Sequence, residues 1–230
     1  MEAKDIRQIC FLDSETTGIN PDDNDTIEIA VALYDIEFAA VIMSFASLIH
    51  ATINNDAEHV NRIPNDLLLK APSHTLVWPT VCSIIERADV IVAHRIEFDK
   101  QFVPASIRNL KPWACSKMDM QFPKSRPERG EHLVHFALAH DVPVYSAHRA
   151  MTDVDTLVRL FQAVEKMGHD IPRMISLSMR PKARFNALVS YADKDLAKEA
   201  GFQWDPEKKT WSRECFLDEA VDFKFKTKQV

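Results

Sequence analysis

Asp13 and Glu15 stand two residues apart in an otherwise mostly uncharged run, Phe11-Leu12-Asp13-Ser14-Glu15-Thr16-Thr17-Gly18. Side chains two apart on a β-strand share one face. Carboxylates held that close repel each other unless a cation lies between them. Two further fragments add acids: Ala93-His94-Arg95-Ile96-Glu97-Phe98-Asp99 and His148-Arg149-Ala150-Met151-Thr152-Asp153. Four hard oxygen donors suit Mg²⁺ or Mn²⁺, and the lack of a cysteine among them disfavours zinc. His148 lies five residues before Asp153. An imidazole there can take a proton from a metal-activated water near neutral pH. The chemistry this set suits is phosphoryl transfer on two divalent ions. One ion, on Asp13 and Asp153, lowers the pKa of a water, and the other bridges the phosphate and steadies the leaving oxygen.

Each residue also has a plainer use. Asp13 can simply end a strand. Asp99 and Asp153 can sit in first helical turns, where negative charge gains about 0.3–1 kcal/mol. His94 either lines the cleft or packs as a core histidine. Those uses do not explain why the fragments occur in this order with Gly18 and His148 in place. Gly18 reads as a tight turn with a permissive backbone that lets a ligand approach closely.

The elements that must carry these residues are legible from the apolar pattern. Residues 6–13 read as a buried strand ending in carboxylates, followed by strands over 26–35 and 40–50 at hairpin spacing. Segments 65–70 and 75–87 have helical apolar spacing. Residues 89–94 read as an inner parallel strand after a crossover helix. A helix follows from about residue 97 until Pro104 interrupts it. A short strand over 113–116 and helices over 131–140 and 150–167 complete the body. The expected fold is α/β, a mixed sheet covered by helices, with a small α+β module at the C-terminal end.

We expect a catalytic domain over residues 1–171, a Pro- and Ser-containing linker over 172–183, and a small module over 184–230. In that module, 185–189 reads as a strand and 193–200 as a helix that Gly201 stops. Residues 202–204 and 210–212 read as a hairpin. A mini-core is expected on Phe185, Tyr191, Phe202, Trp204 and Trp211. Lys182, Arg184, Lys208, Lys209 and Arg213 offer a basic patch for a nucleic-acid strand, which exposed aromatics would favour further by stacking. The run Lys224-Phe225-Lys226-Thr227-Lys228 reads as a frayed, solvated tail.

Composition narrows the class. The 230 residues are 46% hydrophobic, enough for a substantial core, and only four are glycine, which argues against low-complexity disorder. The four cysteines are far apart and form no CxxC pair. They read as reduced thiols of a cytoplasmic protein. The start of the chain shows no signal peptide, and no run of 18 apolar residues exists to span a membrane. The net charge of −6 argues against nonspecific coating of nucleic acid. Residues 180–230 hold 11 of the 28 Lys/Arg and 9 of the 34 Asp/Glu, which leaves 17 against 25 in the preceding body. An acidic body suits metal binding. A nucleic-acid ligand then needs a basic rim or a neutralising ion.

Over residues 7–167 the three fragments resemble the three motifs of the DEDDh (DnaQ-like) 3′–5′ exonucleases of the ribonuclease H-like superfamily. Asp13-Ser14-Glu15-Thr16-Thr17-Gly18 is similar to the first motif, Phe98-Asp99 to the second, and His148-Arg149-Ala150-Met151-Thr152-Asp153 to the third. The run Ile27-Glu28-Ile29-Ala30 is similar to the usual second strand. The resemblance implies a five-stranded mixed sheet flanked by helices. It implies Asp13, Glu15, Asp99 and Asp153 as ligands of two Mg²⁺ or Mn²⁺ ions and His148 as general base. Thr16 and Thr17 would lie beside the terminal nucleotide, and His94 and Arg95 in its binding cleft. Arg95 departs from the family, which usually has asparagine there. The spacing around residues 113–118 is most similar to exodeoxyribonuclease X-like members. Residues 189–211 resemble a small bacterial and phage module of unknown role.

The resemblance implies removal of nucleoside monophosphates from DNA 3′ ends, with a polymerase or repair complex as partner. An exoribonuclease, a ribonuclease H-like endonuclease and a non-catalytic nucleic-acid-binding adaptor stay open at this point.

Overall fold

The computed structural model describes residues 1–124 and 132–230. They form two compact units, Met1–Met179 and Arg180–Val230. In the first unit, strands β1 (Gln8–Thr16), β2 (Thr26–Asp35), β3 (Ala40–Leu48), β4 (Val90–Ala93) and β5 (Trp113–Cys115) build one sheet in the order β3-β2-β1-β4-β5. The β1–β2 and β2–β3 pairs are antiparallel, and the β1–β4 and β4–β5 pairs are parallel. Around it lie α1 (Glu58–Asn61), α2 (Asn65–Leu68), α3 (His74–Ile85), α4 (Ile96–Phe102), α5 (Ala105–Arg108), α6 (Leu133–Ala139), α7 (Ala150–Lys166) and α8 (Ile171–Ser178). This is the mixed five-stranded sheet with flanking helices that the sequence predicts. Among the described residues no helix is long and apolar enough to cross a membrane.

Alternation along β1 sorts its side chains between two cores. Ile9 and Phe11 pack with Val154, Leu157, Val158 and Phe161 of α7. Cys10 and Leu12 pack with Val77, Val81, Ile84 and Ile85 of α3. Continuing the alternation puts Asp13 and Glu15 on the α7 side and Ser14 on the other. Residues 27–34 of β2 are buried throughout because helices cover both faces.

The first strand runs three residues past its expected end at Asp13. The pairing of Glu15 with Glu28 and Thr16 with Thr26, across a local register shift, extends it. In the expected 131–140 helix, residue 131 lies outside the described residues, and α6 spans Leu133–Ala139. The expected linker over 172–183 is corrected. Helix α8 fills most of it, capped by Asp170, whose carboxylate accepts from Arg173 N at 2.9 Å. Pro172 sits in the first turn of α8. Proline fits there because that N–H has no helical partner, so it marks a helix start and not a break.

In the second unit, β6 (Lys182–Leu188), β7 (Gln203–Asp205), β8 (Thr210–Phe216) and β9 (Lys226–Gln229) form an antiparallel sheet in the order β7-β8-β6-β9. Helix α9 (Lys194–Glu199) adds Ala197 to its core, and Gly201 follows with φ +77° as the expected helix stop. Two expectations fail. The tail over 224–228 is not frayed: Lys226–Gln229 is β9, paired with β6. Phe223 and Phe225 pack on Phe202 at 5.1 and 5.4 Å and anchor it. The mini-core keeps Phe185, Phe202 and Trp211 but not Tyr191 or Trp204, which are 85% and 49% exposed.

Phe161 is 1% exposed, with its ring edge-on to Phe11 at 4.9 Å and to Phe122 at 5.7 Å. We expect Phe161→Ala to cost about 3–5 kcal/mol in chemical denaturation. A loss below about 1 kcal/mol would show that α7 is not a main prop of the sheet.

Candidate active site

Three elements end where the acids gather. Strand β1 delivers Asp13 and Glu15, α4 delivers Asp99 after the parallel strand β4, and α7 delivers Asp153 in its first turn. Ser14, pointing away from its two acidic neighbours, donates its hydroxyl to Asp99 Oδ1 at 2.8 Å. Donor atoms of Glu15, His148 and Asp153 all lie within 4.8 Å of one another. The charges of Asp99, Asp153 and Glu15 all act on Asp13, so the four acids lie within electrostatic reach of one another.

Burial and like charge set the electrostatics. Loss of water raises the Asp13 pKa well above the usual carboxylate range, and repulsion from Asp99, Asp153, Glu15 and Glu28 adds to it. The same causes push Glu15 up to about 8, partly relieved by the Arg149 guanidinium. Burial lifts Asp99 to about 7 against the hydrogen bond from Ser14. Asp153 is raised by burial and eased by the His148 N–H, which donates to Asp153 Oδ2 at 3.0 Å. Buried charges are tolerated only when paired or bound to metal. The Arg149 guanidinium, which eases Glu15, is already engaged by Glu28. All-carboxylate donors with excess negative charge fit Mg²⁺ or Mn²⁺.

Glu28 was not among the expected site residues. It is 5% exposed and accepts from Arg149 Nη2 at 2.8 Å, Arg149 Nε at 3.1 Å and Ala150 N at 3.0 Å. This clamp ties β2 to the residues between His148 and Asp153. His148 itself is exposed and holds φ +64°, a left-handed backbone that costs a non-glycine residue free energy. The available signal was a lone acid in the apolar run Thr26-Ile27-Glu28-Ile29-Ala30, since a carboxylate in a buried strand needs a partner.

The other expected residues flank the cluster. His94 contacts Ser116 Oγ through Nδ1 at 3.0 Å, and its ring meets Phe136 edge-on. Arg95 is exposed at the start of α4, and its charge favours ionised Asp99. Thr16 Oγ1 donates to Gly18 O at 2.5 Å, while Thr17 Oγ1 donates to Asn24 Oδ1 at 3.1 Å and accepts from Asp25 N at 3.0 Å. Both hydroxyls therefore close the loop after β1. Gly18 has a different reason from the one expected. Its φ is not left-handed, and a Cβ there would run into the Asn24 side chain. A separate cleft at the opposite end of β1 is lined by Asp35, Glu37 and Asp89 together with Arg7 and Arg87, so its acids are accompanied by cations. Asp89 there accepts from the Arg7 and Gln8 amides, and Asp35 from the Gln8 side chain.

Residues 10–161 match the family model described as Exonuclease. Residues 183–230 match one described as a domain of unknown function (DUF8626). The DNA polymerase III subunit epsilon of Treponema pallidum (strain Nichols) is 29% identical over 158 residues, which cover 65% of this chain and 72% of that protein. Exonuclease X, solved in complex with 5′ overhanging duplex DNA, superposes with a TM-score of 0.56 at 18% identity, over 74% of this chain and 99% of that one. The nuclease domain of 3′hExo, a DEDDh family member bound to rAMP, gives a TM-score of 0.58 at 17% identity, over 74% and 95%. The first unit thus shares its fold with these two exonucleases.

The raised acids set a pH test. A carboxyl whose folded pKa is raised keeps its proton in the fold after the unfolded chain has lost it. Stability then falls as pH rises between the two values. The window opens at the ordinary range of about 4 and closes near the folded value of about 8 for Glu15. The chelator-treated chain should melt lower at about pH 8.5 than at about pH 5.5, and Mn²⁺ should raise the melting temperature more at the higher pH. A metal-free melting temperature that climbs across this window would contradict the crowding of these acids.

Proposed function

This chain belongs to the exonuclease family, and from that premise we propose that it removes nucleoside monophosphates from the 3′ end of DNA by hydrolysis on two divalent ions. One observation carries the reading: Asp13, Glu15, Asp99 and Asp153 converge from three elements, with His148 alongside. Glu15, Asp99 and the shared Asp13 and Asp153 would hold the ions, Mg²⁺ or Mn²⁺. When bound, the ions supply a lowered pKa for the attacking water and charge stabilisation at the phosphate.

The remaining work falls to the chain's own side chains. A ring nitrogen of His148 takes the proton of the attacking water. Asp153 accepts from the His148 amide and so holds that residue beside the cluster. The Glu28–Arg149 clamp keeps both residues at the mouth of the cluster. The 16–18 turn, closed by the Thr16 and Thr17 hydroxyls, shapes the seat of the terminal nucleotide, and His94 and Arg95 flank its phosphate. Arg95, a cation where the family usually has asparagine, gives that side a further attraction for the strand.

DNA as substrate is supported by the likeness to a DNA polymerase III subunit and to an exonuclease solved on duplex DNA. RNA is the second reading, favoured by the likeness to the rAMP-bound nuclease domain. A polymerase or repair complex is the partner we propose on the same likeness. The cytoplasm is the compartment we propose, in keeping with four free cysteines. A non-catalytic adaptor would not need all five functional positions filled.

Asp13→Ala should lower mononucleotide release from a 3′-labelled strand by roughly 10³-fold or more, since the ions contribute several kcal/mol and each 1.36 kcal/mol is tenfold. Its circular dichroism should match the parent's. His148→Ala should cost about 10²–10⁴-fold. A blocked 3′ terminus should stall the parent enzyme. Unchanged release by Asp13→Ala, or internal cuts in the blocked strand, would refute the reading.

A further inference from the structure

The second sheet has two unlike faces. Its inner face carries Phe185, Trp211 and Cys215, packed with Phe202, Phe225 and Ala197 of α9. Alternation turns Lys182 and Arg184 of β6 the other way. Cross-strand partners share a face. Lys226 and Lys228 of β9, opposite Leu188 and Asn186, therefore join them there, as do Phe216 and Glu214 of β8, opposite Lys182 and Arg184. All four cations are exposed, and against them this stretch of sheet sets one acid, Glu214.

Charged side chains on an outer face are ordinary, but four cations against one acid across β6, β8 and β9 are not. The unit as a whole holds nine acids for eleven cations, so the excess is local to these strands; Asp205 shares the face only at its other edge, on β7 opposite Thr210. Asp195 and Glu199 belong to α9, which packs on the inner face, while Asp218 and Glu219 pair with Arg180. The outer face is also shaped. The Phe216 ring carries the Arg180 guanidinium at 4.2 Å and the Lys182 ammonium at 5.4 Å, which fixes where these cations stand.

We propose that this face of β6, β8 and β9 binds the phosphate backbone of a nucleic-acid strand and so gives the module of unknown role its function. Charge complementarity decides the occupant. The exonuclease reading, on which this inference rests, requires a polyanionic substrate, yet residues 1–179 carry 25 acids against 17 Lys/Arg. Such a body repels the strand beyond its terminal nucleotide. Phosphate contacts release counterions and ignore sequence, as suits an enzyme that must hold whatever base comes next.

The test uses the full chain with Arg184, Lys226 and Lys228 all changed to Glu, beside Lys226→Arg/Lys228→Arg as the conservative control. On a strand of about 30 nucleotides the reversed variant should raise KM about tenfold or more and leave kcat unchanged; a dinucleotide should be cleaved as by the parent, and the arginine variant should match it on both. In anisotropy with a 3′-blocked labelled strand and no metal, the slope of log affinity against log salt should become shallower by about 2, for three lost contacts at about 0.7 each. An unchanged KM and slope in a variant that is folded by circular dichroism overturns the proposal and leaves the face to some other partner. Equal slowing of both substrates overturns it as well. If the parent releases no nucleotide, the exonuclease reading fails, and the anisotropy arm still decides whether this face binds a strand.

Discussion

Four carboxylates, Asp99 buried and Asp13, Glu15 and Asp153 half-buried, share a corner of the first unit without an equal number of cations. That repulsion is the constraint from which the chemistry follows. Crowding and burial raise the pKa values of these acids, and divalent ions oppose that shift. A fold does not gather such a set for its own stability, because every member costs free energy to desolvate. The corner therefore makes sense as a receptacle whose stable state includes metal.

The scaffold absorbs the cost through placement. Alternation along β1 sends Asp13 and Glu15 to the α7 side, and Ser14, between them, holds Asp99 at 2.8 Å. One strand end thus supplies two acids and positions a third. Glu28 looks at first like a fifth burden on the cluster. Its bidentate link to Arg149 and its bond to Ala150 N turn it into a brace for the segment that bears His148 and Asp153. The left-handed backbone at His148 is held from both ends, by its own amide on Asp153 and by this brace.

Much of this was legible in the sequence. The apolar runs gave the strands and α7, because both faces of the sheet are covered and burial leaves a strong pattern. The acids, the histidine and their order were visible as well. Less visible were features that depend on distant pairing. The extension of β1 to Thr16 needs β2 beside it. Glu28 looked like part of a strand because its partner is 121 residues away. Pro172 read as a break because proline starts helices as well as ending them. The alternation of Phe223, Lys224, Phe225, Lys226, Thr227 and Lys228 is a strand pattern that its lysines disguised as a solvated tail. Tyr191 and Trp204 are exposed because β6, β8 and the two phenylalanines already fill the small core.

The central claim is that these acids exist to hold a pair of ions. Anomalous scattering from crystals grown with Mn²⁺ and a nucleoside monophosphate measures it most directly. The account predicts two peaks about 3.5–4 Å apart, both at the Asp13 carboxylate, with Glu15, Asp99 and Asp153 completing the ligands. A single peak, or ions bound away from Asp13 while the cluster stays empty, would contradict it.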